Sequence, residues 1–213
     1  MSNRGYSLPL LLWTLAGNAN QVSAQTAALQ VQVYDYASLK PAVLREFIGR
    51  TQAILVGAGV SVQVDACGNN PVEICGSQAA GSSKWVVIRV VAGASKSTKN
   101  VRHPPLGLSF AGHGGGTYAS VFLQPIKDEA DEASFPWVIV LSYAAAHEIG
   151  HLLLGDQAHT SRGLMKANWN TNDFLAMAQN HFHFSEEQTR ELASRYGTVR
   201  LPETGLDVVQ VRP

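Results

Sequence analysis

The spacing of apolar and polar positions marks out the first elements of this chain. Residues 29–36 alternate with a period of two and predict a strand. Residues 38–56 follow a helical period, with Pro41 in the first turn and Gly57 after the last, and predict an amphipathic helix. A second strand is predicted over 60–66. Residues 84–91, dominated by β-branched side chains, suit a buried central strand, so the chain opens in a βαβ order. Residues 94–116 are polar and rich in Gly and Pro and predict a long surface loop. The strand predicted next, over 117–126, is closed by Pro125 and suits a sheet edge.

Asp128, Glu129, Asp131 and Glu132 then precede Ser134 and Pro136, where acids complement the positive end of a helix dipole. The helix predicted from there to Leu154 is apolar on almost every face over 137–154 and must lie inside the fold, with Gly155 placed to end it in a left-handed conformation. Ser185 and Gln188 form a capping box for a last helix reaching about Tyr196, and the tail from Gly197 has no period. With 213 residues, 46% hydrophobic and 15% charged, and no repeat or composition break, one domain over 25–213 is expected.

Sixteen basic residues balance sixteen acidic ones, so no whole-molecule field draws the protein to nucleic acid or an anionic membrane. Residues 1–24 read as a signal peptide: Arg4, an apolar run over 8–16, then Val22, Ser23 and Ala24 before a mature chain starting at Gln25. The apolar run is too short to span a bilayer, so the mature chain is expected in a secreted or periplasmic location with no membrane span. In such a compartment Cys67 and Cys75, the only two cysteines, are expected to form a disulfide whose short loop contributes about 2.5 kcal/mol. Free buried thiols, or a Cys67-Gly68 latency switch, are the alternatives.

Buried polar residues in the apolar helix need a reason to be there. His147, Glu148 and His151 stand in the order H-E-I-G-H. Positions i and i+4 put both imidazoles on one face, one turn apart, where they can share a metal ion. Glu148 approaches from the side, the place of a general base. Zn2+ suits neutral imidazoles, and a catalytic zinc keeps three protein ligands and an open position.

From about Ser142 to Trp169 the sequence resembles the metzincin family of zinc metallopeptidases, with His147, Glu148, His151, Gly155, His159 and Met165 in the family's order. Gly155 lies four residues and His159 eight after His151, against three and six in the usual motif. The resemblance implies an α/β (α+β) zincin domain: a small twisted mixed sheet with an edge strand over a buried active-site helix. It also implies a secreted metalloendopeptidase with His147, His151 and His159 as zinc ligands, Glu148 as general base, and a peptide or protein substrate lying along the strand 117–126. Asp156 as third ligand, or Glu187 or Glu191 in a gluzincin-type site, stays open, as does a zinc-stabilised binding or structural protein without turnover. Met165 could equally fill a core gap, His181 and His183 read as solvated, and the glycine-rich segment around His113 reads as surface loop.

Overall fold

The structure, a computed structural model, describes residues 28–68, 84–93, 104–112 and 115–197. Strand β1 (Leu29–Asp35) leads into helix α1 (Pro41–Gly57), then β2 (Val62–Cys67) and β3 (Lys84–Val91). Pro41 stands in the first turn of α1, where its missing N–H costs nothing. β1 pairs in parallel with β2 and with β3, and β3 is central to the sheet, as its β-branched run predicts.

The edge of the sheet is not where the sequence pattern puts it. Strand β4 (Gly107–Gly112) lies inside the segment expected to be loop, and it pairs antiparallel with β5 (Gly115–Phe122). β5 pairs in parallel with β3 on its other side, giving the order β2-β1-β3-β5-β4. The expected edge strand over 117–126 is therefore an interior strand, and β4 is the edge. It also stops at Phe122, because Leu123–Glu132 forms helix α2 with Pro125 in its first turn, a position that tolerates proline. The four acids fall in α2, ahead of helix α3 (Trp137–Leu154), so they do not open α3 as its dipole pattern suggested.

Leu29, Val31 and Val33 of β1, Val86, Ile88 and Val90 of β3, and Ala119 and Val121 of β5 are buried in the one core that sheet and helices share. α3 lies against β4 and β5 and is flanked by α1 and α2. It is long and apolar enough to cross a membrane, but here it is the core helix, buried over most of its surface. Gly155 ends it with φ 100° and ψ 174°, a positive φ as expected of a glycine stop, but with an extended ψ that leads the chain straight away. Lys84 Nζ donates to the Leu152 carbonyl at 3.0 Å and Arg195 to that of Leu153, so two cations satisfy the negative end of the helix.

Beyond α3 come α4 (Thr171–Ala178), capped reciprocally by Asn170 and Asp173, and α5 (Glu186–Tyr196), capped by the Ser185–Gln188 box that the sequence predicts. Residues 1–24 and Cys75 lie outside the described residues, as does His113. Ile149 sits on the fully buried face of α3. Ile149→Ala should lower the unfolding free energy by roughly 2–5 kcal/mol in a denaturant titration, and a loss below about 1 kcal/mol would contradict this packing.

Candidate metal centre

The second half of α3 delivers two imidazoles and a carboxylate into the interior. His147 and His151, one turn apart, have their Nε2 atoms 3.2 Å from each other. The chain leaving Gly155 brings back His159, whose Nε2 stands 3.1 Å from that of His151. All three ligand atoms lie within 4.8 Å of one another. Among the described residues these are the three side chains that gather in this way; Asp156, Glu187 and Glu191 do not join them, and Glu191 pairs with Arg195. The two extra residues relative to the metzincin spacing do not prevent the return of His159.

The orientation of the rings is set from behind. His147 Nδ1 lies 2.8 Å from the Leu164 carbonyl and His151 Nδ1 3.3 Å from that of Gly155. A carbonyl only accepts, so each Nδ1 carries the proton and donates it, leaving both Nε2 atoms as bare lone pairs turned toward His159. Burial pushes His147 down to about 4, aided by its histidine neighbours, and lowers His151 as well, so both rings are neutral near pH 7. Lone pairs facing each other at this distance repel, and a divalent cation between them removes the repulsion. The donor set fits zinc.

Leu164 and Met165 come from a turn beneath α3. Thr160 N–H donates to the Met165 carbonyl and Leu164 N–H to that of His183. Gly163, at φ 77°, has no room for a Cβ, which would stand 2.6 Å from the His183 carbonyl oxygen. Met165 is fully buried, and a Cβ on Gly150 would meet its sulfur at 2.5 Å. The glycine inside H-E-I-G-H is thus the place where this turn seats against the helix. Met165 does fill a core gap, but the gap lies directly under the residues that carry the histidines.

Glu148 points to the other flank. It is 7% exposed, and β4 passes so close that a Cβ on Gly107 would stand 2.6 Å from its carboxyl oxygen. Burial raises its pKa to about 7, and a hydrogen bond from the Ser109 side chain pulls the other way. Gly107, Ser109 and the Leu164 carbonyl escape a reading of the sequence, although Leu106, Leu108 and Phe110 alternate with a strand's period. Trp169 escapes it as well. Its ring meets that of His147 edge-on at 5.8 Å, and its Nε1 is the one buried side-chain polar atom without a hydrogen-bond partner among the described residues. His181 and His183 are exposed, as expected.

The fold is a mixed α/β domain with a three-histidine cluster built on its core helix, and comparison with solved structures agrees on the fold. One similar structure is a zinc-dependent peptidase from Methanocorpusculum labreanum, with a TM-score of 0.53 and 13% identity over 77% of this chain and 99% of that one. Another is an archaemetzincin from Methanopyrus kandleri, with a TM-score of 0.50 and 13% identity over 78% of this chain and 94% of that one. No protein-family model matches the chain, and no curated protein matches its sequence.

Glu148 carries a pH signature. Its folded pKa lies above the ordinary carboxylate value, so in metal-free protein its burial costs nothing at low pH and costs stability as pH rises through about 7. Metal-free Glu148→Gln should therefore be more stable than metal-free wild type at about pH 8, on the order of 3 kcal/mol, with the gap closing toward about pH 5. Thermal denaturation across that range measures it, and a gap that widens on acidification would contradict the burial of an ionisable Glu148.

Proposed function

We propose that this protein is a zinc-dependent metallopeptidase of metzincin type, exported from the cell, with His147, His151 and His159 as ligands and Glu148 as general base. The observation that carries this reading is the convergence of three imidazole Nε2 atoms within 4.8 Å beside a buried carboxylate. Zinc bound there would acidify a water molecule and polarise a peptide carbonyl. Glu148, buried on the same helix as His147 and His151, would accept a proton from that water and pass it to the departing amine. Its enclosure by Gly107 fixes where the carboxylate stands.

β4 supplies the substrate platform in place of the strand 117–126. One side of β4 is paired with β5 and the other is the end of the sheet, so an extended peptide can add to it by backbone hydrogen bonds. Ser109, two residues from Gly107 on the same strand, would then couple the platform to Glu148. The names of the two similar structures agree with peptide hydrolysis.

Two substitutions separate this reading from a zinc-stabilised structural protein. Glu148→Gln should retain about one zinc per chain and the fold while losing roughly 100-fold to 10,000-fold of peptide hydrolysis. His147→Ala and His151→Ala should lose the metal, and His159→Ala should weaken it. Metal analysis beside a peptide-library digest measures both. Wild type and Glu148→Gln equally inactive on every peptide, with equal zinc, would favour the structural role; full metal retention in the histidine variants would refute the site.

Export and the Cys67–Cys75 disulfide belong to the same proposal. Protein recovered outside the cytoplasm should begin at Gln25 and resist thiol alkylation until reduced. Two thiols alkylated in the native exported protein would exclude the disulfide.

A further inference from the structure

A cleft of about 310 Å³ opens between α1, α3 and the segment after α4. Its lining contains none of His147, Glu148, His151 or His159. One wall is a bare flank of α1, where Gly49, Ala53 and Gly57 recur every four residues; Cβ atoms built on either glycine meet nothing within 4 Å. Facing it is Tyr143, which is 4% exposed and packs edge-on against Phe182.

Among the described residues the Tyr143 hydroxyl has no hydrogen-bond partner, yet it is not one of the polar atoms sealed from solvent. It therefore opens into the cleft that the residue lines, as a donor waiting for an acceptor. Arg50 lines the same cleft. Its Nε is engaged by Glu46 at 2.8 Å, and its outer nitrogens hold no hydrogen bond among the described residues. The guanidinium is near enough to favour the Tyr143 phenolate, although burial outweighs it and raises that pKa. His183 and Asn180 complete the polar rim.

We propose that this cleft binds a carboxylate carried on a short apolar body, with the Tyr143 hydroxyl and the Arg50 guanidinium donating to the carboxylate and the bare flank of α1 holding the apolar part. One guanidinium already shared with Glu46 suits a single negative charge and disfavours a dianion. Such a group comes either from a free organic acid or from the C-terminus of an apolar peptide. Tyr143 lies one turn before His147, so the cleft and the histidine cluster are served by the same helix α3.

Calorimetric titration tests this with 3-phenylpropionate and its neutral amide on the full chain, and with a short apolar peptide bearing a free or amidated C-terminus on Glu148→Gln, which does not consume it. The acid should bind at least about tenfold more tightly than the amide. Arg50→Gln and Tyr143→Phe should erase that preference, and Gly49→Leu should fill the cleft and abolish binding without lowering the melting temperature. Tighter binding of the free-terminus peptide assigns the site to peptide ends, whereas binding of phenylpropionate alone assigns it to free acids. No binding of either acid to the cleft, equal affinity for acid and amide, or binding that survives Gly49→Leu would overturn the proposal. None of these readouts requires zinc or turnover, so their failure is distinct from failure of the peptidase reading.

Discussion

The structure depends on placing two imidazoles and a carboxylate inside the hydrophobic core on α3. Thirteen of the eighteen residues of this helix are buried, Glu148 and His151 among them. Polar groups so placed are costly unless each is satisfied. The fold satisfies the imidazoles from behind, through the Leu164 and Gly155 carbonyls, and leaves their functional atoms facing one another. What remains unmet is the electrostatic demand at the centre, and a divalent cation answers it.

That demand dictates the surrounding backbone. Gly155 must release the chain sharply for His159 to return, and Gly150 must lack a side chain for Met165 to seat under the helix. Gly107 must lack one for β4 to cross Glu148. Gly150 and Gly107 each let a second segment approach α3 closely, at Met165 and at Glu148, while Gly155 supplies the positive φ by which the chain leaves the helix. The cations Lys84 and Arg195, arriving from the central strand and the last helix, hold the end of α3 just beyond His151.

Much of this is legible in the order of residues alone. The largely apolar character of 137–154, broken by His147, Glu148 and His151 beside the small Ser142, locates both the core and the site. The run 84–91 marks the central strand, and Ser185 with Gln188 marks the last helix. What is not legible rests on tertiary contact. β4 reads as loop because Gly107 and Gly112 weaken strand propensity, yet pairing with β5 outweighs this. Pro125 reads as a strand terminator, while in fact it lies in the first turn of α2. The tie between His147 and a backbone carbonyl seventeen residues on leaves no trace in side-chain identity.

The central claim is that three imidazoles hold one metal with a position left open. X-ray absorption spectroscopy at the zinc edge of the purified protein tests it most directly. The expected result is a four-coordinate shell of three imidazole nitrogens and one light non-protein ligand, reduced to two imidazoles or lost in His159→Ala. A shell closed by four protein ligands, or one unchanged in His159→Ala, would contradict it.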